Sequence, residues 1–318
     1  MTRAPDFTPI RPDRTPVVQR RWDSRAVTSA AWTTWVVLAL ALLPVATGAW
    51  YAAWVGLSAV AIALWRGTPR RGHVDGLDLV VVSATYLAVV ALMWAAFQGF
   101  TTARVLGLFL CFAAALLLGV LGPLFYTVWI RRRSLADLGL RLDNWRPTVA
   151  LALLFAGVQF GLTLWGYDLP GAADWVPLLG MALVVGAFEA VFFRGFVQGR
   201  LEHSFGTGPG TAVAAGLYGL YHVGYGMAVT DIMFLTGLGL VYAVAYRLVG
   251  NVLVLWPLLT PLGSFFANLE GGDIDLPWAS LAGFGDVFAL MVLGVWLAAR
   301  HVRRSTGPLH RTTEGKVS

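Results

Sequence analysis

The string Phe188-Glu189-Ala190-Val191-Phe192-Phe193-Arg194-Gly195 sets a carboxylate and a guanidinium inside an apolar stretch. A second apolar stretch, Leu217-Tyr218-Gly219-Leu220-Tyr221-His222-Val223-Gly224, carries an imidazole. A carboxylate and an imidazole that face one another in a dry cavity are the parts from which hydrolases build a general base or a metal site. Taken alone the pair is weak evidence, because a lone membrane histidine is more often a hydrogen-bonded packing residue.

The elements that must position these groups follow from composition. Of the 318 residues 58% are hydrophobic and 13% are charged, and the mean hydropathy is +0.69, which excludes a soluble globular domain. Apolar stretches recur at the roughly 20 residues needed to cross about 30 Å of hydrocarbon. The expected fold is an all-α, polytopic transmembrane bundle of about ten spans, near 27–43, 49–65, 77–98, 105–130, 148–166, 175–200, 208–226, 231–249, 251–268 and 279–300. The first two form one apolar run split by Pro44 and Gly48, which reads as a tight hairpin rather than one double-length helix. Ionisable groups at bilayer depth are expensive and persist mainly where they face a bundle interior or a cavity, so Glu189 and Arg194 mark a functional site by default.

Loop charges give the orientation, because Lys and Arg concentrate in short cytoplasmic loops. Arg3, Arg11, Arg14, Arg20, Arg21 and Arg25 precede the first span. Alternate loops hold Arg66, Arg70 and Arg71, then Arg131 to Arg133 with Arg141 and Arg146, while Arg300, Arg303 and Arg304 follow the last span. The intervening loops carry Asp168, Asp174, Asp231, Glu270, Asp273 and Asp275. Both termini are therefore expected in the cytoplasm, with the protein a multi-pass resident of the cell membrane. The net charge of +6 is distributed by loop side, which argues against nucleic acid as a partner and for membrane lipids. Lys316 is the single lysine among 23 basic residues, a bias that fits a GC-rich bacterial genome. Cys111 is the lone cysteine and lies within a span, which excludes an intrachain disulfide framework.

Residues 1–25 and 305–318 read as disordered cytoplasmic tails, 26–133 as N-terminal transmembrane helices and 134–304 as the membrane core. Between the fourth and fifth spans, Ser134-Leu135-Ala136-Asp137-Leu138-Gly139-Leu140-Arg141-Leu142 alternates apolar and polar residues and is expected to lie along the cytoplasmic interface. At a rise of roughly 1.5 Å per residue, Glu189 sits about 16 Å and His222 about 21 Å from the cytoplasmic side, so the two could share one cavity.

Glu189, Arg194 and Gly195, followed by Gln198-Gly199-Arg200-Leu201-Glu202, resemble the first signature of the CPBP family, the CAAX-protease and bacteriocin-processing (Abi) intramembrane metalloproteases. Tyr218 and His222 are similar to its second signature, Phe-x-x-x-His, with Tyr in place of Phe. The resemblance covers about residues 134–268. It implies an all-helical core with a conical cavity open to the cytoplasm. It further implies an endopeptidase in which Glu189 positions or deprotonates water, His222 is a metal or oxyanion-site ligand, and Arg194 is an orienting cation. The implied cofactor is a divalent metal, zinc, if the protein is active. The implied partner is a peptide or membrane-protein substrate. The alternative is a non-catalytic relative that binds or escorts a peptide, lipid or membrane protein.

Two departures accompany the resemblance. Ala190 stands where the family has its second Glu. On an α-helix residues 189 and 194 point apart, so Arg194 must find another partner or snorkel to the interface about 9 Å away. The third signature should bring a His, yet the segment from Asn251 to Ser264 contains none, with Thr260 and Pro261 where it would fall. A catalytic zinc normally has three protein ligands. Asp286 is the candidate third ligand beside Glu189 and His222, at the depth of His222; an outer-interface position is the alternative. Asn268 could replace the family's Asn or cap its helix, and Gln159 reads as an interhelical hydrogen-bonding residue.

Overall fold

The computed structural model describes residues 74–100, 105–141, 145–164, 171–259 and 278–306. Among them all regular structure is helical, and there is no strand. Segments this apolar leave helix as the way to satisfy every backbone N–H and C=O without water.

Among the described residues eight rods follow in chain order. Helix α1 covers Gly76–Phe100 and α2 covers Val105–Ile130, both with π-helical turns inside them. Helix α3 is Trp145–Leu164. Helix α4 runs as α-helix over Ala172–Glu189, as π-helix over Ala190–Gln198 and as α-helix again over Gly199–Phe205. Helix α5 is Thr207–Leu220, tightened to a 3-10 turn over Tyr221–Tyr225. Helices α6, Val229–Val249, α7, Val252–Leu259, and α8, Ser280–Thr306, complete the set.

Among the described residues five stretches are long and apolar enough to cross a membrane: Gly76–Phe100, Val105–Ile130, Trp175–Phe205, Val229–Arg247 and Ser280–Arg304. They coincide with five of the ten expected spans. Helices α3, α5 and α7 stand where three more were expected, whereas the stretches near 27–43 and 49–65, the N-terminal tail and residues 307–318 lie outside the described residues, and residues 305 and 306 of the expected C-terminal tail end α8.

Helix α4 is the central rod. Its most apolar window is 61% buried, against 22% or 28% in the other four, and Phe188, Phe192, Phe193 and Phe196 on it are almost wholly covered. The outer helices turn Leu87, Phe109, Leu153, Phe234 and Leu293 outward, the exposure that a lipid-facing surface requires.

The segment 134–141 departs from expectation. It does not lie flat on an interface: Leu135, Leu138 and Leu140 are buried, and a 3-10 turn over Leu135–Leu138 is pushed against the π-helical part of α4. A Cβ added to Gly195 would come within 2.4 Å of the Leu138 carbonyl oxygen, so only glycine permits this approach. The segment is then tied to α7, because Val252 N–H donates to Gly139 O at 2.9 Å and Asn251 Nδ2 donates to Arg141 O at 3.3 Å. Alternation of apolar and polar residues is common to an interfacial strip and to a buried strap; the presence of Gly195 opposite decides for the strap.

Candidate active site

Glu189 closes the α-helical part of α4 and is 3% exposed. Its two carboxylate oxygens take hydroxyls from one neighbouring helix: Tyr218 donates to Oε2 at 2.9 Å, and Tyr221 makes a short hydrogen bond to Oε1. Tyr218 and Tyr221 are three apart and so lie on one face of α5, the face turned to α4.

His222 is one residue farther on and 6% exposed. Its Nδ1 lies 2.9 Å from the Tyr218 carbonyl oxygen. A carbonyl only accepts, so Nδ1 carries the proton and, in the neutral ring, Nε2 keeps its lone pair. The ring sits in an aromatic enclosure, its centroid 4.1 Å from Tyr221, 5.3 Å from Tyr218 and 5.5 Å from Tyr225. Glu189 and His222 are therefore linked through the two tyrosines.

Arg194 does not snorkel. It is fully buried, with Cζ 4.8 Å from the centroid of the Tyr218 ring, and it interacts electrostatically with Glu189. Its Nη1 and Nη2 have no hydrogen-bond partner among the described residues. The expectation that residues 189 and 194 point apart assumed an unbroken α-helix. Ala190–Gln198 is instead π-helical, where bonding runs from i to i+5 and residues five apart return to the same side. The turn carries Arg194 inward behind Tyr218, in place of the partner lost with Ala190.

The remaining signature residues hold the bundle together. Gln198 Nε2 donates to Ala243 O at 2.9 Å and to Glu202 at 2.8 Å, and Glu202 also accepts from Thr211 at 2.8 Å. Arg247 of α6 reaches Glu202 at 3.6 Å.

One helix outside the resemblance, α1, closes the site, and nothing in the signatures announced it. Tyr86 of α1 donates to Leu217 O at 3.0 Å, and Gln98 Nε2 donates to Tyr225 O at 3.1 Å. At the other end of α1, Asp78 is fully buried. It accepts from Tyr126 at 2.6 Å and from Arg133 at 3.0 Å, and it faces Arg131 at 3.3 Å and Arg200 at 3.9 Å. Two aspartates at the start of a span, with arginines at the end of the next, were the available signal.

Among the described residues the donor set does not fit a resident zinc. Among the described residues no group of three or more His, Cys, Asp or Glu could hold a metal. Both oxygens of Glu189 already accept hydroxyls. Asp286 does not join Glu189 and His222: it is exposed on α8, whose buried residues at this level are Phe284 and Val287. His203 and His301 are exposed as well. Thr260, Pro261 and Asn268 lie outside the described residues, and Gln159 is on α3.

Residues 170–258 match the family model described as Rce1-like, type II CAAX prenyl endopeptidase Rce1-like. Comparison with curated proteins and with solved structures gives no match. The matched stretch contains Glu189, Arg194 and His222 together with the helices that bring them into one cluster. This core, residues 170–258, is what the chain shares with the CAAX-protease family of membrane proteins.

Proposed function

We propose that the protein is an intramembrane endopeptidase of CAAX-protease type in which Glu189 is the general base. One observation carries the reading: a buried carboxylate is held by two hydroxyls from the helix that also presents His222. In the proposed reaction, water gives a proton to Glu189 while its oxygen adds to the scissile carbonyl carbon, and Nε2 of His222 accepts the water's second hydrogen bond. Glu189 then returns the proton to the departing amine, so that an acid and an amine leave. The tyrosine hydroxyls are the nearest donors for the developing oxyanion. Arg194 keeps positive charge beside the carboxylate. No step runs through a metal.

The substrate is a peptide or membrane protein presented from the cytoplasmic side, with the protein in the cell membrane and both termini inside. Supporting this orientation, one end of the bundle gathers Arg131, Arg133 and Arg200 around Asp78, and there Trp129 stacks on His301 with centroids 5.1 Å apart, next to Arg300, Arg303 and Arg304.

A second reading has its own observation. Ala190 occupies the second Glu position, and it lines an apolar cavity rather than the polar cluster, as in a relative that binds or escorts a partner without cleaving it. Peptide-library cleavage by the protein reconstituted in liposomes separates the two. Cleavage that is lost in both Glu189→Gln and His222→Ala, and that persists in EDTA, is expected. Cleavage that survives both substitutions would overturn the assignment of Glu189 and His222, and no cleavage by the wild type would favour the non-catalytic reading.

A further inference from the structure

A cavity of about 560 Å³ lies between α4, α7 and α8, within the size range of ligand sites. Its wall is apolar, with Ala190 and Val191 from α4, Trp256 from α7 and Phe288 and Val295 from α8. Its rim is basic, with Arg300, Arg303 and Arg304. On α8 these arginines follow one another at spacings of three and four from Trp296, so all three extend the stripe that lines the cavity. The positive-inside tendency and the dipole of α8 account for cations at this helix end, but neither requires them to share the face of an apolar cavity. Trp296 and Val292, which also line it, are 51% and 53% exposed, so the cavity opens sideways where lipid would stand. The Arg300 guanidinium stacks over Trp296, 5.2 Å from the ring centroid, which holds a cation at the mouth.

We propose that this cavity is a binding site for an anionic phospholipid, with an acyl chain along Val191, Trp256 and Phe288 and the phosphate held by the arginine rim. A basic rim on a pocket between membrane helices is the arrangement that recognises anionic headgroups, and guanidinium groups match phosphate geometry with paired hydrogen bonds. Apolar wall and basic mouth are continuous, which selects an amphiphile over a free anion. The site is separate from the Glu189 cluster and does not depend on cleavage. Ala190 is the residue through which the two adjoin.

The test uses the full chain in detergent, offered equal amounts of dioleoyl-phosphatidylglycerol and dioleoyl-phosphatidylcholine and read by native mass spectrometry. The wild type is expected to retain phosphatidylglycerol roughly tenfold over phosphatidylcholine. Arg300→Gln with Arg304→Gln should bring the two close to parity. Ala187→Phe, which fills the cavity wall, should reduce retention of both, with an unchanged elution volume showing that the variant is folded. Equal retention by the wild type, an unchanged preference in the arginine double variant, or displacement of the lipid by millimolar inorganic phosphate would overturn the proposal.

Discussion

Tyr218 donates its hydroxyl to Glu189 across 2.9 Å, while the ring of the same tyrosine lies under the Arg194 guanidinium. One side chain from α5 thus stands between a buried anion and a buried cation of α4, four residues before His222. The proposed base can be tested without dismantling this arrangement. Glu189→Gln keeps the shape and an acceptor oxygen, and a tyrosine hydroxyl can turn to accept from the new amide. Cleavage should fall by about 100-fold or more, the range of general-base contributions, with the melting temperature nearly unchanged. A large loss of melting temperature would mark Glu189 as structural.

Gly195 is expected to tolerate no side chain. Leu138 O is a backbone atom 2.4 Å from the position of an added Cβ, so it can move only with the whole 134–141 strap. Gly195→Ala should destabilise the protein by about 1–3 kcal/mol, as overpacking does. Thermal unfolding in detergent reads this directly, and an unchanged midpoint would show that the strap is mobile.

Asp78 should matter more than its distance from the cluster suggests. Asp78→Ala removes the one fully buried anion shared by Arg131, Arg133 and Arg200 and leaves Arg131 and Arg133 with the partly exposed Asp75. The expected cost is about 3–5 kcal/mol, the penalty for breaking a buried ion pair from one side. Adding Arg133→Gln should recover part of it in a double-mutant cycle; strict additivity would show that the pair is not coupled.

Acid should weaken the same end of the bundle through Asp75. Partial burial opposes ionisation of Asp75, but the Asp78 backbone N–H and the Arg131 guanidinium outweigh it and hold the carboxyl below its ordinary range. A carboxyl lowered in the folded state stabilises the fold above its unfolded-state pKa, and the benefit disappears as pH falls through the folded value. Wild type and Asp75→Asn should therefore differ in unfolding midpoint at neutral pH and converge below about pH 4. A gap that persists or widens in acid would contradict the assignment.

How much of the candidate site was legible differs from residue to residue. Glu189 and His222 could be singled out because charge and imidazole are costly in an apolar span, and their depths could be matched by counting. Arg194 was misplaced because helical geometry was assumed constant: a π-helical stretch is a deviation in backbone hydrogen bonding over nine residues, Ala190–Gln198, with no composition of its own. Asp286 was matched to His222 by counting alone, and it is exposed on α8. Depth follows from residue count, whereas the direction a side chain takes depends on which neighbours cover the helix.

The sequence by itself determined the helical membrane class, the family resemblance, and the identity of the carboxylate and imidazole of the candidate site, since each rests on residue type or on position along one segment. Only the tertiary structure decided that Tyr218 and Tyr221 grip Glu189, that Arg194 turns inward, that α1 closes the His222 side, and that an apolar cavity ends in Arg300, Arg303 and Arg304. These are contacts between helices, fixed by rotation and close approach rather than by spacing, and packing of the whole bundle sets both.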